Sequence, residues 1–262
     1  MQKIKIFFAA AAGLIALFSF GFFLKRPAKA NHELVAGMMS GWAPFMVLNP
    51  DGQPVGFDVD VANLLAKRLN KKLVIKDLGS LASCFVALEQ NKIDLLMSGL
   101  DITQDRLKKL AMIPYTGEEI KTFSLLFWKN IPSAISSLED LKNIPNATVC
   151  AEPGSAQDKF LNQYAFITKK PIATTTEMLL DLRYGKSLAV ILEPQVANRL
   201  KKQEPSLVAL DIPLPEAFKV YGMGIALKKS NQPLAQKIEQ LITALKKDGE
   251  LSRLETTWGL KG

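Results

Sequence analysis

The chain has 262 residues, 48% of them apolar, with 33 Lys or Arg against 25 Asp or Glu and a formal net charge of +8. That excess is local: residues 1–30 hold Lys3, Lys5, Lys25, Arg26 and Lys29 and no acid, leaving 28 basic against 25 acidic residues in the remainder. So even a balance argues against a nucleic-acid footprint, and a single histidine (His32) with two isolated cysteines (Cys84, Cys150) excludes triad, Cys-His, His-metal and CxxC zinc chemistry.

Residues 1–30 read as an address. Lys3 and Lys5 precede an uncharged apolar run of 19 residues, Ile6 to Leu24, and Ala28-Lys29-Ala30 supplies a small-x-small cleavage site before Asn31. The segment is expected to be a signal peptide or, since the run is just long enough to span a bilayer, an N-terminal membrane anchor. Either way the rest of the chain is exported, to the periplasm or the cell surface. No cysteine lies near residue 30, which excludes lipid attachment there. Cys84 and Cys150 are expected to be packed free thiols.

Downstream, short strands alternate with amphipathic helices. Strands are expected at 34–36, 73–78, 93–98 and 121–128, with helices at 60–69, 82–91 and, capped by Thr103, through Leu110. Asp60 is placed to cap the first of these helices. A second series has Ser136 and Glu139 as a capping box, strands at 147–152, 188–193, 207–212 and 222–227, and helices at 155–164, 177–184 and 195–202. Amphipathic helices at 234–247 and 251–258 close the chain. The alternation predicts an α/β fold with largely parallel sheets in two lobes, whose ligands sit at the carboxyl ends of strands.

Three strand-to-helix junctions carry chemistry. Ser98-Gly99-Leu100-Asp101 leaves a strand and enters a helix, where Arg106 offers a guanidinium suited to a carboxylate and Gly99 lets a ligand approach the backbone. Glu152-Pro153-Gly154-Ser155 repeats the pattern. Glu193 ends an apolar strand, and a buried acid there needs a cationic partner such as a ligand ammonium.

The run Gly56-Phe57-Asp58-Val59-Asp60-Val61, followed by Leu65, Ala66 and Leu69, resembles the signature of the polar amino-acid binding proteins of ABC transporters, bacterial solute-binding family 3. Trp42-Ala43-Pro44-Phe45, Asp101-Ile102-Thr103 with Arg106, Pro114-Tyr115, Gly154-Ser155, Glu193 and Trp258-Gly259 stand in that family's order. The resemblance implies two α/β lobes joined by two crossing strands, lobe 1 from 31–120 and 221–262 and lobe 2 from 121–220. It also implies that Arg106 grips a ligand α-carboxylate, assisted by backbone N–H groups near Asp101 and by Ser155. Glu193 would hold the α-ammonium, with Ser98, Gly99 and Asp101 beside it. Trp42 would cover the ligand side chain, Leu81 stands where many members carry a second aromatic, and Glu152 matches an acid of arginine-type members.

One cation, Arg106, against Asp101, Glu152 and Glu193 gives the expected pocket a balance of −2. Uncompensated buried charge is costly, so a cationic amino acid fits best, and arginine's planar guanidinium can stack on Trp42. The expectation is therefore a monomeric binding protein, not an enzyme, that needs no cofactor or metal. It would capture a free amino acid, arginine first, by lobe closure and deliver it to the membrane subunits of an ABC importer. The alternatives are a binder of glutamine or another neutral amino acid, and an enzyme resembling cyclohexadienyl dehydratase on the same fold.

Overall fold

The computed structural model describes residues 32–261, so the expected signal or anchor lies outside the described residues. From β1 (Glu33–Met38) the chain passes through a two-strand ribbon, β2 (Val47–Leu48) and β3 (Pro54–Val55), into helix α1 (Phe57–Arg68). Strand β4 (Lys72–Asp77), helix α2 (Leu81–Glu89), strand β5 (Leu95–Leu96), helix α3 (Gln104–Lys109) and strand β6 (Leu110–Ile120) follow. The α1 stripe Phe57, Val61 and Leu65, spaced four apart, is fully buried against the sheet side. Asp60 does not cap α1. The helix starts three residues earlier than expected, and the Asp60 carboxylate instead accepts the Trp258 indole N–H at 2.8 Å.

One residue separates β6 from β7 (Thr122–Trp128), which opens a second sheet. Strand β8 (Thr148–Ala151), helix α4 (Ala156–Leu161), strand β9 (Thr168–Pro171), helix α5 (Thr175–Arg183), strand β10 (Ala189–Leu192), helix α6 (Pro194–Gln203) and strand β11 (Leu207–Pro213) complete it. Strand β12 (Val220–Lys228) returns to the first sheet, and helices α7 (Gln232–Lys247) and α8 (Glu250–Thr257) pack on α1 and β6. The strand orders are β4-β1-β5-β12-β6 and β11-β7-β10-β8-β9. These are two sheet-and-helix lobes joined by two crossing strands.

The sheets are mixed rather than largely parallel. β1, β4 and β5 run parallel, as do β8, β9 and β10, but β12 is antiparallel to β5 and β6, and β7 to β10 and β11. The antiparallel strands are the crossing ones, which must reverse direction to enter or leave a lobe. Strand β6 escaped the sequence because Pro114 and Gly117 interrupt its apolar run, and its pairing with β12 carries irregularities on the β12 side of that region. The Ser136/Glu139 capping box is also absent. Asp140 takes its place, accepting the N–H and hydroxyl of both Ser136 and Ser137, and these bonds hold its carboxyl down at about 2. Alternation along β7 divides the core of the second lobe: Phe123, Leu125 and Phe127 face one cluster and Leu126 the other.

Both cysteines are free and buried. Burial pushes the Cys84 thiol up to about 12 and the Cys150 thiol up to about 11. Among the described residues no helix is long and apolar enough to cross a membrane, and no cluster of His, Cys, Asp or Glu is arranged to hold a metal.

Candidate functional site

The parallel strands of the two sheets direct their carboxyl ends toward one narrow cavity. Trp42, Leu81, Ser98, Gly99, Asp101 and Arg106 line it from the first lobe, and Glu152, Ser155 and Glu193 from the second. The loop after β1 brings Trp42, and the loop after β5 brings Ser98, Gly99 and Asp101. Leu81 opens α2, Arg106 lies in the first turn of α3, and Glu152 and Glu193 directly follow the paired strands β8 and β10. All nine residues expected from the sequence therefore meet around one space.

Arg106 is 5% exposed although it carries a full charge. Thr103 caps α3 as expected, its hydroxyl accepting the Arg106 N–H at 3.3 Å. From that anchored turn Arg106 Nη1 donates to the Asp101 carbonyl at 2.7 Å, and Nη2 crosses to the Gly154 carbonyl of the second lobe at 3.2 Å. The Phe85 ring lies against the guanidinium, 5.5 Å from its centroid to Cζ. Burial lowers the Arg106 pKa, and the charges of Asp101, Glu152 and Glu193 oppose that shift.

The acids are less well served. Asp101 Oδ1 and Glu152 Oε1 are buried and have no hydrogen-bond partner, and among the described residues only Arg199 Nε shares that condition. Burial and the neighbouring Glu193 carboxylate push Glu152 up to about 8, against a downward pull from Arg106. Asp101 is raised well above the usual carboxylate range, first by burial and then by Glu193. Glu193 accepts from Gln157 Nε2 at 2.5 Å, so one of its oxygens is already oriented. Three acids thus share one guanidinium in a closed space, a setting that favours an incoming cation.

Other polar groups at the site are already committed. Ser98 Oγ accepts the Met39 N–H and donates to the Met39 carbonyl, which ties the end of β5 to the end of β1. The Gly99 N–H donates to Asp58, whose other oxygen accepts the Tyr115 hydroxyl at 2.6 Å. Burial pushes that Asp58 carboxyl up to about 7. Gly99 also has a structural reason: with φ +58, a Cβ there would lie 2.6 Å from the Phe45 ring, so the glycine admits Phe45 as well as lining the cavity. Ser155 Oγ caps α4 by accepting the Asp158 N–H, and the Ser155 N–H closes a turn onto the Glu152 carbonyl. Its hydroxyl hydrogen remains available to donate.

Phe85 and Gln157 were not read from the sequence as site residues, nor were the apolar wall residues Phe45, Leu100, Val196 and Met223. Phe85 follows Leu81 by one helical turn, so the two share a face of α2, which is the signal that was there to find.

The family model for bacterial extracellular solute-binding proteins, family 3, matches residues 34–261. A probable ABC transporter arginine-binding protein, ArtJ of Chlamydia trachomatis serovar D, is 33% identical over 238 residues, covering 90% of each chain. A crystal structure of a mutant ArgBP from T. maritima is similar with a TM-score of 0.77 at 28% identity, covering 88% of this chain and 96% of that one. An ancestral arginine-binding protein has been solved with arginine (TM-score 0.76, 27% identity, 88% and 99% covered) and again with glutamine (TM-score 0.74, 28% identity, 88% and 99% covered).

Proposed function

The chain belongs to the bacterial extracellular solute-binding proteins, family 3, and on that premise we propose that it captures arginine by lobe closure and presents it to an ABC importer. The observation that carries the choice of ligand is the pair of unpartnered, buried carboxylate oxygens on Asp101 and Glu152 beside Glu193, with Arg106 the only cation lining that cavity. Arginine brings two cations and one anion. Its carboxylate pairs with Arg106, its ammonium with Glu193 and Asp101, and its guanidinium with Glu152 under the face of Trp42. The relatives named as arginine-binding support the same choice. Arginine carried through native purification and released by denaturation is the expected finding in mass spectrometry; a different amino acid there would refute the ligand assignment.

Glutamine is the second reading, and one observation favours it. A Glu152 carboxyl raised to about 8 is neutral at pH 7 and can donate a hydrogen bond to an amide. The two readings differ in protons. Arginine binding favours ionised Glu152 and releases its proton, so affinity is full above about pH 8 and falls as the pH is lowered through that value. Glutamine binding retains the proton. Calorimetry at pH 7 in buffers of different ionisation enthalpy separates them: a buffer-dependent heat is expected for arginine, and a buffer-independent one would count against the Glu152–guanidinium pair.

We further propose that the protein acts outside the cytoplasm as a monomer and performs no chemistry on its ligand. The dehydratase alternative requires a multiply anionic cyclohexadienyl acid, which three acids against one guanidinium repel.

A further inference from the structure

Beside the ligand cavity, three consecutive residues of the loop after β1 each carry one hydrogen bond to the opposite lobe. Thr175 Oγ1 donates to the Gly41 carbonyl at 3.2 Å, the Trp42 indole N–H donates to the Ala173 carbonyl at 3.0 Å, and Arg199 Nη2 donates to the Ala43 carbonyl. The approach is close enough to constrain the sequence. Gly41 has φ +93, and a Cβ on it would lie 2.8 Å from Thr174 Cγ2. Arg199 brings a guanidinium into this seam although no acid is paired with it there, and its Nε is buried without a partner.

We propose that Arg199, with Thr175, is a closing latch that positions Trp42 over the ligand. The proposal rests on the reading of the cavity as the ligand site. Each bond joins residues on different lobes, so it exists in the closed form and is lost on opening. Interactions made only in the closed form raise its population, and with it the apparent affinity of any ligand that the closed form holds. Because Arg199 and Thr175 do not line the cavity, their contribution extends to every ligand that the closed form holds. Trp42 is the link: its ring lines the cavity, while its indole N–H and both flanking carbonyls are held from the second lobe. The latch therefore sets how long a ligand stays, and the acids set which ligand it is.

The test is stopped-flow binding of arginine and lysine to the full chain, comparing Arg199→Ala, Arg199→Lys and Thr175→Val with the parent protein. Losing a hydrogen bond from a charged donor is expected to speed dissociation in Arg199→Ala roughly ten-fold or more, with association within about two-fold of the parent. Lysine should be released faster too, by a factor no larger than that for arginine, since its ammonium gains less from the Trp42 face. Thr175→Val should show a smaller acceleration of the same kind, Arg199→Lys should restore part of the loss, and the ligand-free melting temperature should be unchanged in all three. Unchanged arginine dissociation in Arg199→Ala would overturn the latch, as would a loss that tracks a lowered ligand-free melting temperature. A ligand-independent arm follows solvent exchange of the Trp42 indole N–H by NMR in the ligand-free protein, a proton held by the Ala173 carbonyl in the closed form. Its exchange should quicken when Arg199→Ala is introduced. If the parent binds no amino acid, the ligand reading fails, and the exchange rate still decides the latch: no quickening refutes it.

Discussion

Arg106→Ala is expected to abolish binding of every amino acid while the protein remains folded. The guanidinium is fixed from several sides, by the cap of α3, the Asp101 and Gly154 carbonyls and the Phe85 ring, and it is the one cation facing the cavity. An α-carboxylate, which all candidate ligands share, then has no positive partner and meets three acids instead. Breaking a buried charge pair costs about 3–5 kcal/mol, or roughly two to four decades in affinity. The fold survives because burial already raises the Asp101 and Glu152 carboxyls, so they accept protons when their cation is removed. Circular dichroism and calorimetry on the variant check both halves; wild-type affinity in a folded variant would remove Arg106 from the site.

Glu152→Gln is expected to separate cationic from neutral ligands. The substitution keeps shape and removes the carboxylate that arginine binding ionises, moving the formal balance of the fully ionised cavity from −2 to −1. Glu152 Oε1 has no partner within the protein, so no structural bond to that oxygen is lost. Arginine should bind roughly ten- to a hundred-fold more weakly, the range for losing a charged hydrogen bond. Glutamine should hold or improve, since it needs only a donor there. Glu193→Gln should differ, weakening both ligands together because Glu193 is assigned to the shared ammonium. Paired titrations of arginine and glutamine on the two variants read this directly. Equal loss of both ligands in Glu152→Gln would make Glu152 a structural residue and leave the apolar lining, Leu81 and the neighbouring Met39, pointing to a more apolar ligand.

The site was legible in the sequence where backbone topology places a residue, because a strand end followed by a helix start has a one-dimensional signature. Glu152, Glu193 and Asp101 all stand at such junctions. Functional reasons were less legible than positions. Gly99 is a glycine because Phe45 packs against it, and Asp60 serves Trp258, a residue 198 positions away, rather than its own helix. Phe85 carries no mark that distinguishes a ring on Arg106 from any other apolar residue of an amphipathic helix. Strand β6 was hidden by Pro114 and Gly117, which it tolerates through irregular pairing with β12. The seam joining residues 41–43 to Ala173, Thr175 and Arg199 depends on how two lobes meet, and no local pattern encodes that.

Titration calorimetry of arginine, lysine and glutamine against the chain, freed of any carried ligand, tests the central claim most directly. Two cationic groups on the ligand match buried acids that carry two unpartnered oxygens, Asp101 Oδ1 and Glu152 Oε1, and a planar guanidinium suits the face of Trp42 better than a compact ammonium does. The predicted order is arginine tightest, lysine next and glutamine weakest, each with one site per chain. Glutamine binding more tightly than arginine, or no binding by either cation, would contradict it.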